Sequence, residues 1–216
     1  MAYTRGSSAN IIVGAAALFT YEPAAGASEL TDADLPDVVE DVTYKDTLQD
    51  DAEYRNVGYT MNGLEIVFQP DFGEVQVDQL LDVAKLYKQG MQVNLNTAFA
   101  ESTLENLLFA IAGKDADLAT AGAGEFAEGN PVMNMSAGDI GDVPVERGLV
   151  AVGPGSGAAD VGIERIYAAY RALSIENVTV SAKRDEPTMY EVSFRLLPNN
   201  DASYGKLVDR TISLAS

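Results

Sequence analysis

The chain has 216 residues, with 33 Asp and Glu against 14 Lys and Arg, a formal net charge of −19, and no His, Cys or Trp. These counts exclude a Ser-His-Asp triad, imidazole and thiolate metal sites, a thiolate nucleophile and any disulfide. Such acidity also argues against nucleic-acid binding, which needs clustered Lys and Arg to displace phosphate counterions. With 47% hydrophobic and 22% charged residues, the composition is that of an ordinary globular protein, and one soluble domain over 1–216 is expected.

The apolar run from Ala9 to Phe19 imitates a secretory signal. It is thin in Leu and interrupted by Asn10 and Gly14, so it reads as a buried N-terminal strand ending at Tyr21. No stretch reaches the roughly 18 apolar residues of a membrane span. Residues 29–56 are strongly acidic, with Asp32, Asp34, Asp37, Glu40, Asp41, Asp50 and Asp51 among their carboxylates and Lys45 and Arg55 as their cations. This segment reads as a solvated loop, or as an arm reaching another protein through interspersed Leu30, Leu35, Val38, Val39, Val42, Tyr44 and Leu48.

Two apolar-alternating runs, Val57–Met61 and Leu64–Gln69, flank Asn62-Gly63, the dipeptide of a tight hairpin. Phe72–Val77 reads as a third strand, followed by a short helical piece capped by Asp78, holding Leu80, Leu81, Ala84 and Tyr87 and stopped at Gly90. Met91–Thr97 has strand period again. Ser102 with Glu105 three residues on makes a capping box. The helix it opens carries Leu104, Leu107, Leu108 and Ile111 at helical spacing and stops at Gly113.

Residues 113–162 hold 11 of the 19 glycines and read as a long loop around one buried strand, Leu149–Val152. Strands are expected again at 178–182, 189–197 and 207–214. Residues 163–173 fit either a strand or a helix, because Ile163, Ile166, Tyr167 and Tyr170 also recur at helical spacing. Gly153-Pro154-Gly155-Ser156-Gly157 lacks the spacing of a dinucleotide loop, and Pro154 removes an amide donor. Among 33 carboxylates some pair will meet glycosidase spacing by chance. Asp32-Ala33-Asp34 and Asp115-Ala116-Asp117 do not continue as EF-hand loops. No motif requires catalysis, a cofactor or a metal.

The segments Val57–Ile66 and Pro70–Gln79, Ala98–Leu107 where a strand enters the helix, Glu164–Tyr167 and Tyr204–Ile212 resemble the major tail protein of long-tailed bacteriophages. The resemblance covers 57–112 and 163–214. It implies a mainly β (α+β) fold, a β-sandwich closing towards a barrel with one flanking helix (Ser102, Leu104, Glu105, Leu107, Leu108, Ile111) and long inter-subunit loops. It further implies a non-enzymatic virion protein without cofactors, made in the host cytoplasm, whose stacked hexameric rings form the tail tube.

Its implied partners are copies of itself and other tail components: tape measure, tail terminator and baseplate. Genomic DNA would pass through without specific binding. Glu65, Gln69, Glu74 and Gln76 are then candidates for the lumen face. Asp32, Asp34, Asp37, Glu40, Asp41, Tyr44, Asp50 and Asp51 become candidates for an inter-subunit arm. The alternative from another class is a stand-alone acidic β-sandwich that binds carbohydrate or calcium.

Overall fold

The computed structural model describes residues 12, 14–22, 29–38, 41–78, 82–124, 126–136, 140–141, 143–155 and 162–212. Strand follows strand with two short helices: β1 (Ala17–Tyr21), α1 (Tyr44–Asp50), β2 (Tyr54–Asn56), β3 (Thr60–Gln76), β4 (Val83–Phe99), α2 (Leu104–Ala110), β5 (Leu118–Thr120), β6 (Pro131–Met133), β7 (Arg147–Pro154), β8 (Gly162–Ser174), β9 (Tyr190–Leu196) and β10 (Gly205–Ile212). Eight strands form one antiparallel sheet in the order β2-β1-β7-β8-β9-β4-β3, with β10 also on β8; β5 and β6 make a separate small hairpin. β7 holds one edge of β8 over 164–172, so β10 (against 162–169) and β9 (against 172–174) divide the other edge.

The sheet curls on itself to make a mainly β sandwich. Leu18, Leu149 and Ala151 from its β1–β7 end share one buried cluster with Val93, Leu95, Phe99, Val192 and Phe194 from the β4–β9 end. α2 caps this cluster: the Phe109 ring stacks on Phe194 at 4.8 Å and on Phe99 at 5.8 Å. The alternate residues of β1, β7 and β8 (Phe19, Tyr21, Val150, Val152, Ile166, Tyr170) face the other way, into a second cluster closed by Leu30, Tyr44, Leu48 and Tyr54. Strands buried on both faces read as continuous apolar runs rather than alternating ones, which accounts for Leu18-Phe19 and Leu149–Val152. Among the described residues no helix is long and apolar enough to cross a membrane.

Several expectations are corrected. Asn62-Gly63 is not a hairpin turn. Both residues have positive φ (67° and 73°), and they form a bulge inside β3, where Met61 pairs Ala98 and Glu65 pairs Asn96. Two successive left-handed residues can close a tight turn or push out a bulge; Thr97 Oγ1 settles the latter by donating to Gly63 O at 2.9 Å. β3 ends at Gln76 and β4 begins at Val83, so 83–90 of the expected helical piece is the first half of β4, while its Leu80 and Leu81 lie outside the described residues.

The cap of α2 is Thr103, not Ser102: its hydroxyl accepts from Asn106 N at 3.1 Å, which leaves Glu105 outside a capping box. The helix ends in a Schellman arrangement in which Gly113 N donates to Leu108 O and Ala112 N to Phe109 O. Its left-handed residue is Ala112 (φ 52°), one position before the expected glycine stop. A second helix, α1, rises inside the acidic segment, and the Gly-rich segment holds β5, β6 and a β7 longer than expected. Residues 178–182 are not a strand. Residues 163–173 are strand, because burial there alternates with period two between the clusters. Of the expected N-terminal strand, 9–11 and Val13 lie outside the described residues.

Candidate assembly surfaces

β3 and β4 are each 17 residues long and pair along their whole length, with further bulges in β4 at Gln89 and Ala84. β9 reaches β4 only over Val93–Phe99, and β3 has no other strand partner among the described residues. Met91 still packs on the core and its carbonyl accepts from the Tyr204 hydroxyl at 2.6 Å, and beyond the Pro70–Met91 pair the hairpin is a two-stranded ribbon. An isolated two-stranded ribbon is marginal in water, yet this one is apolar: Phe72, Leu86 and Tyr87 are 54%, 59% and 46% exposed. Gly73 keeps its outer part compact, because the Tyr87 ring lies where a Cβ on Gly73 would come within 2.5 Å, and Gln89 Nε2 donates to the Tyr87 hydroxyl at 3.0 Å. Lys85 and Lys88 project from the same ribbon without an ion pair among the described residues.

The four candidate lumen residues are all exposed, but they do not share a face. β3 runs without an extra residue from Glu65 to Gln76, so alternation places Glu65 and Gln69 on one side and Glu74 and Gln76 on the other. The Glu65 side is a polar sheet face across three strands. Asn96 Nδ2 donates to Glu65 Oε2 at 3.3 Å, Ser193 Oγ to Asn96 Oδ1 at 2.8 Å, and Gln92 Nε2 to Asn94 Oδ1 at 3.2 Å, with Gln92 paired to Gln69. On the opposite side Leu64 and Ile66 pack on the core. Where β3 faces β10, a cleft of about 450 Å³ opens, lined by Leu64, Ile66, Phe68, Tyr167 and Leu207.

Much of the acidic segment folds back on its own sheet. Asp32 accepts from the Tyr170 hydroxyl at 2.7 Å and from Lys206 Nζ. Asp34 accepts from Thr31 N at 2.8 Å, while its carbonyl accepts from the Tyr54 hydroxyl at 2.8 Å. Tyr44 is buried, and its amide donates to both oxygens of Glu164 (2.9 and 3.1 Å). Glu164 in turn pairs with Arg210 at 2.9 Å, both residues being buried, and Arg210 Nη2 donates to Val42 O at 2.7 Å. Asp37, Asp41 and Asp50 remain exposed; Asp51 is half-buried and accepts from Glu53 N at 3.0 Å; Glu40 lies outside the described residues.

Glu164, Arg210 and Asn106 enter the sequence reading only as parts of the resembling segments, and Lys85 and Lys88 not at all. Asn106 sits beside the apolar stripe of α2 and is fully buried. It donates to Val57 O (2.8 Å) and Glu101 O (3.0 Å) and accepts from Arg55 Nη1 (2.9 Å), which ties α2 to the start of β3.

The Lys206 and Tyr170 bonds hold Asp32 below the usual carboxylate range, and the Thr31 hydroxyl does the same for Asp34. Burial pushes Tyr21, Tyr44 and Tyr170 up to about 12, and Tyr54 higher. A phenol whose folded value is raised stabilises the fold fully below the unfolded value near 10, and that stability is lost as pH rises towards 12. These tyrosines are expected to ionise together with unfolding in that window. Tyrosinate absorbance recorded beside circular dichroism tests this; ionisation of all four with the fold intact would refute it.

Among the described residues no three Asp or Glu side chains gather as metal ligands. No protein-family model matches the chain, and no curated protein matches it in sequence.

Proposed function

We propose that this chain is a structural virion protein that self-assembles into stacked, hexameric rings forming the tail tube of a long-tailed bacteriophage. The observation that carries the reading is the β3–β4 ribbon, a long two-stranded extension with apolar side chains exposed and the outer edge of β3 unpaired among the described residues. A free, apolar strand edge is a template for another chain. Evolution blunts such edges in monomers and keeps them where a partner covers them. Among the described residues β10 presents a second unpaired edge, Gly205–Ile212, at the other side of the cleft, so one copy offers two different edges. Contacts between unlike surfaces close into rings or propagate as filaments.

In this reading the polar face of Glu65, Gln69, Gln92, Asn94 and Asn96 is the wall that genomic DNA passes, and the high negative charge discourages phosphates from sticking. Tube ends would meet the tape measure, tail terminator and baseplate proteins. The protein would be made in the host cytoplasm and end in the virion.

Electron microscopy of concentrated purified protein is expected to show rings or tubes. The Phe72→Ser/Leu86→Ser variant should keep the wild-type circular dichroism spectrum and remain monomeric. A wild-type protein that stays monomeric across protein and salt concentrations would overturn the proposal.

A further inference from the structure

We infer that the cleft where the two ends of the curled sheet meet is a docking site for a basic, extended segment of a partner other than this chain, which enters as an added strand. The cleft holds about 500 Å³, within the roughly 300–1,000 Å³ of ligand-sized sites, and Ala16, Lys45, Gln49, Tyr59, Thr60 and Glu101 are among its walls. It lies at the first residue of β3, at the opposite end of that strand from the ribbon.

Two strand edges with unspent backbone groups face this cleft. Val57 N donates to Leu18 O at 3.1 Å and Glu22 N to Glu53 O at 2.8 Å, so the even-numbered residues of β1 turn their N–H and C=O towards β2. Ala16 continues that row, since its side chain packs on the same cluster as Leu18. β2 no longer faces it there: Gly58 has φ 85°, and its amide donates to Asn56 Oδ1 at 2.8 Å, so the chain turns away. On the other side Ala100 N donates to Tyr59 O at 2.9 Å and Thr60 pairs with Phe99, which turns the N–H and C=O of Thr60 away from β4. Among the described residues no strand lies beyond Ala16 or Thr60 on these sides. An extended segment between them finds donors and acceptors on both edges.

The side chains select its charge. Glu101 Oε1 accepts from Tyr59 N at 2.9 Å, and Gly58 makes room for it, since a Cβ there would come within 2.2 Å of the carboxylate carbon. Glu101 has no ion pair among the described residues, and the Tyr59 ring is 80% exposed. An unpaired carboxylate and an open aromatic ring on one wall suit a guanidinium or ammonium group. From α1, Lys45 and Gln49 stand one helical turn apart and offer donors to the carbonyls of the incoming backbone. The chain's charge of −19 draws a basic segment and repels a second copy of itself.

The capped peptide acetyl-Thr-Val-Arg-Val-Thr-amide is the probe, titrated into the whole protein by calorimetry. Saturable binding is expected at one peptide per chain, in monomers and in any rings alike. Replacing the peptide's Arg with Glu should weaken binding roughly tenfold or more. Glu101→Gln should do the same, because it removes the charge yet keeps an acceptor for the Tyr59 amide. Tyr59→Ser, at an exposed position, gives a second variant whose fold is easily kept, and circular dichroism checks both. A peptide with Pro in place of both Val lacks two of the strand's donors and should not bind. No saturable binding to wild type, equal binding by the Glu or Pro peptide, or folded variants that bind like wild type would overturn the proposal. Peptide taken up by monomers but excluded from assembled rings would also overturn it, by making a second copy the occupant.

Discussion

Glu164→Ala is expected to lower stability by about 3–5 kcal/mol, the usual cost of removing one partner from a buried ion pair. Glu164 does three things at once: it neutralises Arg210 and accepts the Tyr44 amide with both carboxylate oxygens. Its loss leaves a guanidinium inside a cluster of Tyr44, Ile166 and Val152 and an unsatisfied amide at the first turn of α1. Replacing both charges, as in Glu164→Gln/Arg210→Met, should recover most of the loss, because no uncompensated charge stays buried. Urea unfolding of the three proteins gives the comparison. An Ala variant within 1 kcal/mol of wild type (~1 kcal/mol being the typical effect of a point mutation) would show that the pair does not hold α1 in place.

Phe194→Ala should cost a similar amount, about 3–5 kcal/mol, for a different reason. The residue is fully buried in β9, the strand that links the two halves of the curled sheet, and its ring packs against Phe109 of α2 and Phe99 of β4. Deleting it removes apolar transfer energy and leaves a cavity walled by two more rings that cannot collapse without moving α2. Phe194→Leu fills most of the space and should lose about 1–2 kcal/mol. Thermal unfolding distinguishes the two. Equal losses would mean that ring volume is unimportant there.

Strand content and the placement of α2 were legible in the sequence because each is a local pattern: alternation in Tyr190–Leu196, and helical spacing from Leu104 to Leu108. What escaped was decided by partners far along the chain. Pro70 and Gly73 look like breaks between short strands. In the fold Pro70 lies on an edge strand, where a missing donor is tolerated, and Gly73 makes room for Tyr87. Asn62-Gly63 carries the conformational signal of a turn, and only the pairing of β3 with 91–99 rather than with its own neighbour makes it a bulge. From its charge the acidic segment reads as a solvated loop, or as an arm reaching another protein. Its Tyr44 and Val42 are held by Glu164 and Arg210, 120 and more residues away, and nothing in either residue alone announces the pair. The lumen candidates lie on two faces for a simpler reason, since Glu65 and Glu74 differ in parity on one strand.

The division of one edge of β8 between β9 and β10 bears on how the protein is made. β1 waits for β7, Asp32 waits for Lys206, and β8 lacks half of an edge until Gly205–Ile212 has left the ribosome. A fold whose pairings span most of its sequence forms slowly, and during synthesis its strand edges stand open to neighbouring nascent chains. A strong negative charge carried from the acidic segment onwards keeps those unfinished copies apart until each has closed its own sheet. Under the proposed self-assembly, association between copies would thereby be deferred until each sheet has closed.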